Sequence, residues 1–268
     1  MNWKPFHHPD LCLPVVRRRA SEEWLDVLGG IGEILVTRGR SISWNKTFPT
    51  STAYRSAMSR LQKKGLIIQT NGRDDLPRLT LTDAGKSTRP DYHCPDKFWN
   101  KRWNGIWYML IFDVPEKERH YRDTLRKFLK QLRMGCLQKS VWITPQDIRP
   151  QYNDLEKVAS IHSVAYLMES RTVLNEDQEE LVCNTWDFQK LKNLHKRYID
   201  VYTENLQAIP LASSEDALTE LLYQESEAYI QAMVYDPLLP RRLHPSDYLG
   251  PQVWELHNQL RTAIAYAL

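Results

Sequence analysis

Apolar residues recur every three to four positions in the stretch TSTAYRSAMSRLQKKGLI, which begins at Thr50. Ala53, Ala57 and Leu61 fall four apart, and Tyr54 and Met58 lie beside them, so one helix face is apolar. The other face carries Ser51, Arg55, Ser56, Ser59, Gln62 and Lys63. Thr50-Ser51-Thr52 opens this helix just after Pro49, and Gly65 is placed to cap its end. A short strand, Leu66 to Thr70, comes next. Asn71-Gly72-Arg73 then makes a turn, and Leu76 to Leu81 reads as the return strand. Thr82-Asp83-Ala84-Gly85 opens a short helix or linker. Upstream, Ser21 is a suitable N-cap for a helix beginning Glu22-Glu23-Trp24-Leu25, followed by mixed apolar runs from Ile31 to Val36 and from Ser41 to Phe48.

Helix, glycine, strand, basic turn and strand form the layout of a winged helix-turn-helix, expected over residues 1–90. In such a unit the second helix enters the major groove of double-stranded DNA. Hydroxyls suit phosphates, and arginine suits phosphate or guanine. The expected DNA contacts are Thr50, Ser51, Thr52, Arg55, Ser56, Ser59, Arg60 and Lys63. Arg73 and Arg78 of the hairpin are expected to reach flanking backbone. The plainer reading is a helix with an ordinary polar face.

The pattern changes near Trp103. Trp107 to Phe112 is almost continuously apolar, as in a strand buried on both faces. Tyr121, Leu125, Phe128, Leu129 and Leu132 then mark one face of a helix. Arg119, Arg122, Arg126, Lys130 and Arg133 run beside it as a basic stripe, which either follows a DNA backbone or is a solvated face. Gly135 is expected to stop this helix. Leu137 and Ser140 to Ile143 supply further strand, closed by Pro145. Asp147 to Ala159 reads as a weaker helix and Val164 to Met168 as a last strand. The order β-α-β-β-α-β predicts a ferredoxin-like domain over 91–172.

Asp113 stands at the end of the apolar strand, in IFDVPE. A carboxylate there is costly unless something satisfies or uses it. It caps the next helix, holds a metal or serves an interface. A lone aspartate is a poor magnesium site, and Glu116 and Glu118 read as first-turn acids of that helix.

Residues 173–268 read as mostly helical. Leu191, Leu194, Tyr198, Val201 and Tyr202 keep helical spacing, as do Leu218, Leu221, Leu222, Tyr229 and Met233. Asp236-Pro237-Leu238-Leu239-Pro240 makes a rigid loop, and Trp254, Leu256, Leu260 and Ile264 mark a final helix. The fold expected is therefore α+β and multidomain.

Charge sharpens this division. Residues 1–90 carry 15 Lys and Arg against 8 Asp and Glu, residues 91–150 carry 12 against 7, and residues 151–268 carry 9 against 18. A basic front and an acidic rear suggest that the front meets a polyanion. At 42% hydrophobic and 26% charged the chain has an ordinary globular composition. No stretch approaches the roughly 18 apolar residues of a membrane span. The N-terminus lacks the order of a secretory signal. Cys12, Cys94, Cys136 and Cys183 are far apart, so reduced thiols and a cytoplasmic location are expected, with no zinc site.

The segment from Phe98 to Ile148 resembles the PaaX-type transcriptional repressors, named for the regulator of bacterial phenylacetate degradation. The resemblance rests on Trp103, Gly105, Trp107, Phe112 to Glu116, Arg119, Arg122, Leu125-Arg126, Leu129, Gly135, Gln138, Ser140-Val141-Trp142 and Pro145. It continues at VYDPLLPRRLHPSDYLG, Val234 to Gly250, although Tyr248 stands where that pattern leads one to expect tryptophan. The resemblance implies a winged helix, a ferredoxin-like dimerisation domain and a helical effector domain. It also implies a homodimer on an inverted-repeat operator, released by an aryl-acyl-coenzyme A such as phenylacetyl-coenzyme A. In the C-terminal domain, Arg241, Arg242 and His244 would then meet the effector's phosphates, with aromatic residues around its acyl part.

The middle segment also resembles the small nuclease subunit of CRISPR adaptation complexes, through Asp113, Arg119 or Arg122, and Gln138 to Trp142. In that family a strand-end aspartate from each of two subunits can bind magnesium. The expectation is a ligand-responsive repressor with no catalytic residues and no cofactor. The alternatives are a metal-dependent nuclease using Asp113, and a DNA-binding adaptor in which the middle domain only dimerises.

Overall fold

The computed structural model describes residues 28, 33–37, 40–41, 48, 50–71, 77–87, 89, 91–153, 165–172, 177–211 and 214–267. The chain forms two compact units. One joins the N-terminal part, through His93, to residues 194–234 and 249–268. The other joins residues 94–193 to 235–248. Ser21 with the helix expected after it, the turn containing Arg73, and most of the stretch from Ser41 to Phe48 lie outside the described residues.

In the first unit, β1 (Glu33–Thr37), β2 (Arg40–Ser41), β3 (Ile67–Asn71) and β4 (Pro77–Leu81) form an antiparallel sheet in the order β2-β1-β4-β3. Helix α1 (Ser51–Lys63) precedes β3 and buries Tyr54, Ala57, Met58 and Leu61. Thr50 is its N-cap: the Thr50 hydroxyl accepts the Ala53 N–H at 3.1 Å. At the other end Gly65 turns left-handed, with φ 67°. The Gly65 N–H reaches Gln62 O at 2.9 Å and the Leu66 N–H reaches Leu61 O at 3.0 Å. That pair of bonds is a Schellman cap, and the expected glycine makes it.

Helix α2 (Asp83–Ser87) closes this part. A Cβ on Gly85 would lie 2.0 Å from Leu66 O, so only glycine lets α2 approach the start of β3. A 3-10 turn comes next, at Asp91–His93.

The helices α6 (Phe188–Ala208, from Leu194 onward), α7 (Glu215–Met233) and α8 (Gly250–Ala267) complete the unit. Their core holds a fully buried carboxylate, Glu225. Tyr198 OH and His257 Nδ1 each lie 2.5 Å from its Oε1, and Arg261 Nε lies 3.8 Å from Oε2. Burial opposes the charge on Glu225, but His257, Arg261 and the Tyr198 hydrogen bond hold its carboxyl below the ordinary range. The Tyr229 ring stacks on His257 at 3.7 Å, and its hydroxyl donates to Tyr92 O at 2.6 Å. The C-terminal helices thus hold the turn that comes after the sheet.

In the second unit a short α3 (Asp96–Trp99) leads to β5 (Trp107–Phe112), α4 (Arg119–Gln131), β6 (Gly135–Gln138), β7 (Val141–Thr144) and β8 (Ala165–Ser170). Residues 149–153 are helical. The sheet order is β6-β7-β5-β8, with every neighbouring pair antiparallel. Numbered from β5, that is 2-3-1-4, the order produced when two β-α-β units interleave. On one face Tyr108, Leu110 and Phe112 pack with Leu125 and Leu129 of α4. On the other, Trp107 and Ile143 pack with Leu181 and Val182 of α5 (Gln178–Thr185) and with Phe188 and Leu191.

The structure corrects one expectation here. Gly135 does not stop α4. The helix ends at Gln131 and Arg133 makes the turn, with φ 57°. The Arg133 N–H bonds Lys130 O at 3.0 Å and the Met134 N–H bonds Leu129 O at 3.1 Å, a second Schellman cap with arginine in the glycine position. Gly135 instead belongs to β6. Its Cβ would lie 2.1 Å from Thr185 Cγ2, so the glycine is there for close packing of α5.

Among the described residues no helix is long and apolar enough to cross a membrane.

Candidate nucleic-acid interface

Helix α1 turns its polar face outward. Thr52, Arg55, Ser56, Ser59, Arg60 and Lys63 are exposed, and Ser51 is half-buried. These positions fall on the side away from Tyr54, Ala57, Met58 and Leu61, as a period of 3.6 requires. Lys64, missed by the sequence reading, extends the cationic end and is also exposed. From Thr50 to Lys64 there is no acid. The face therefore combines four cations with hydroxyls, and nothing on the helix neutralises it. Thr50 is exposed, but its hydroxyl is already engaged by Ala53 N–H, so its first role is to start the helix. Arg78 is half-buried on β4 and stands opposite Thr70 of β3. Arg73 lies outside the described residues.

The basic stripe of α4 is largely spent within the fold. Arg122 pairs with Glu116 at 2.8 Å. Arg126 donates to Lys139 O at 3.0 Å, Arg119 lies 3.8 Å from Asp123, and Arg133 donates to the main-chain oxygen of Asp236. Lys130 is exposed.

Asp113 is exposed just beyond the end of β5. It does not cap the next element: Pro115 precedes the 3-10 turn Glu116–Glu118, and no side chain caps that turn. The strand ends before Asp113, so its carboxylate reaches water and needs no partner. Glu116 is held by Arg122. Among the described residues no group of three or more His, Cys, Asp and Glu side chains is placed to hold a metal ion.

Arg241 and Arg242 are exposed on a 3-10 turn, Arg241–Leu243, of the second unit. Arg241 Nε donates to Asn100 Oδ1 at 3.0 Å, and the Arg242 guanidinium lies 5.9 Å over Trp103. His244 points inward: its Nε2 lies 2.8 Å from Leu239 O, and burial holds the ring below its ordinary pKa. The guanidinium groups thus face outward, while the imidazole serves the loop.

Beside them lies a cluster the sequence pattern does not show. Asp236 is buried and accepts the Leu238 N–H at 2.8 Å and the Tyr248 hydroxyl at 2.6 Å. Burial pushes its carboxyl up to about 6. Trp99 meets His244 and Tyr248 edge-on, at 6.1 and 6.3 Å between centroids. The only local signal was Asp236-Pro237, which announces a turn but not its partners.

Residues 100–182 match a protein-family model described as the PaaX protein central Cas2-like domain. This segment is therefore similar to the PaaX central domain. It takes in the whole β6-β7-β5-β8 sheet and runs into α5, whose Leu181 and Val182 cover one face of the sheet. The matched segment contains Asp113, the α4 stripe and Gly135. The chain also resembles the solved structure of the uncharacterized protein Rv0674 from Mycobacterium tuberculosis. The two are 20% identical, and the match covers 92% of this chain and 96% of that one, with a TM-score of 0.55. At that identity the likeness is one of fold. No curated protein matches the sequence.

Proposed function

We propose that this chain is a PaaX-like transcriptional repressor that binds double-stranded DNA through α1. The acid-free face of Arg55, Arg60, Lys63 and Lys64, interleaved with Ser56 and Ser59, carries this reading. In it, α1 is the recognition helix of a winged helix-turn-helix, and the β3–β4 hairpin is the wing. The PaaX central domain, read as ferredoxin-like, joins two copies on an inverted-repeat operator. An aryl-acyl-coenzyme A, such as phenylacetyl-coenzyme A, shifts the dimer to a state whose two α1 helices no longer match half-sites about one helical turn apart. Arg241 and Arg242 would meet its phosphates, and the regulated genes would be those of phenylacetate breakdown.

The chain acts without catalysis in this reading. In support, Glu116, three residues after Asp113, is committed to Arg122. A gel-shift experiment with DNA from upstream of the chain's own gene cluster tests the proposal. A retarded band that phenylacetyl-coenzyme A dissolves supports it. Binding that no acyl-coenzyme A affects removes the effector but leaves DNA binding. Magnesium-dependent cleavage abolished by Asp113→Ala would overturn the non-catalytic reading.

A further inference from the structure

Among the described residues, β8 is an end strand of the second sheet, paired on one side only. β8 pairs with β5 along all six of its residues, Ala165 to Ser170, with no break in register. On the face away from α4 it presents Tyr166 and Met168, which are 65% and 51% exposed. Across the ladder stand Ile111 and Met109 of β5, both half-buried. The apolar strip is therefore two strands wide. The one charged residue of the strand, Glu169, points to the opposite face and pairs with Arg149 at 3.2 Å. Proteins guard an end strand with charge, proline, a bulge or a cover, because its free N–H and C=O groups invite another strand. Along β8 there is no lysine, no proline and no bulge, and the side chains of Tyr166 and Met168 are open to solvent.

We infer that β8 pairs antiparallel with β8 of a second copy of this chain, about a twofold axis at Leu167. The register is set by the side chains. A twofold axis normal to a continuous sheet must bring together residues that share a face, and a one-residue slip breaks that match. With Leu167 opposite itself, Tyr166 of each copy faces Met168 of the other, giving two sulfur–aromatic pairs across the ladder. Glu169 then faces Ala165, and no like charges meet. An edge that complements itself in this way is an isologous interface, which points to a second copy rather than to an unrelated strand. The inference deepens the dimeric reading above and rests on it.

The full chain carrying both Tyr166→Cys and Met168→Cys tests the register. Directly opposite residues have Cβ atoms roughly 4.5–5.5 Å apart, close enough for a disulfide after a small shift, whereas diagonal neighbours at about 7–8 Å are too far. Mild oxidation should give a covalent dimer with the double variant. It should give none with either single variant or with the parent chain, which controls for the native cysteines. Met168→Lys should sediment as a monomer with an unchanged circular dichroism spectrum. A parent that sediments as a dimer, with a double variant that does not cross-link, overturns this interface and leaves the dimeric reading standing. A parent that is monomeric at every concentration overturns both.

Discussion

Arg133 holds a left-handed backbone, with φ 57°, while its guanidinium donates to the main-chain oxygen of Asp236, 103 residues further along. A non-glycine residue pays roughly 1–2 kcal/mol for that conformation. The link to the loop after α7 and the bond from Trp186 Nε1 to Arg133 O at 3.2 Å offset it. Arg133→Ala keeps the strain and loses the link, so it should destabilise by roughly 1.5–3 kcal/mol, the range for a hydrogen bond from a charged group. Arg133→Gly relieves the strain and should cost less. Urea unfolding followed by tryptophan fluorescence separates them, and equal stability of Arg133→Ala and the parent would contradict this account.

Asp236 makes stability depend on pH in an unusual direction. Its carboxyl titrates at about 6 when folded, above the ordinary 3.8. Between those values the folded chain binds more protons than the unfolded one. Its contribution is therefore fully present below 3.8 and lost as pH rises through about 6. The loss amounts to roughly 3 kcal/mol. Melting curves at about pH 4.5 and about pH 7.5, on either side of the folded value, should show a smaller pH difference for Asp236→Asn than for the parent. An unchanged difference would assign the titration to another group.

Gly135→Ala should destabilise by about 1–3 kcal/mol, because the new methyl would lie 2.1 Å from Thr185 Cγ2 and 2.6 Å from Trp186 Cε2. Thr185→Ala added to it should recover part of the loss. Thermal denaturation of the single and double variants measures this, and no recovery would mean that Trp186 sets the limit.

Glu225 joins α6, α7 and α8 through Tyr198, His257 and Arg261. Glu225→Ala strands buried partners and should cost roughly 3–5 kcal/mol. Tyr229→Phe removes the bond to Tyr92 O and should cost about 1 kcal/mol. Chemical denaturation orders the two, and a larger loss in Tyr229→Phe would contradict the assignment.

Periodicity predicted what is local. The stripe of Tyr54, Ala57, Met58 and Leu61 placed α1, and Gly65 its end, because a helix writes its buried face every three to four residues. The strand of Trp107 to Phe112 was legible in the same way, from its unbroken apolar run. Features made by distant residues stayed hidden. Nothing near Gly135 in the sequence announces Thr185, and nothing near Glu225 announces His257. Arg133 broke the usual preference for glycine at a helix end, so the stop was expected two residues late. A cap was one of three readings open for Asp113, because an aspartate before a helix so often is one; Pro115 intervenes and the carboxylate faces water. The strand Glu33–Thr37 had no alternating signal of its own, and its partner β4 is what makes it a strand.

The central claim is that α1 meets DNA. The most direct measurement is the salt dependence of duplex binding by the full chain and by the triple variant Arg55→Ala, Arg60→Ala and Lys63→Ala, followed by fluorescence anisotropy. The parent should bind, with affinity falling linearly in log salt. The triple variant should bind more weakly, with a slope shallower by about 0.9 for each cation removed. A parent that does not bind duplex DNA, or a triple variant with the parent's slope and affinity, would contradict the account.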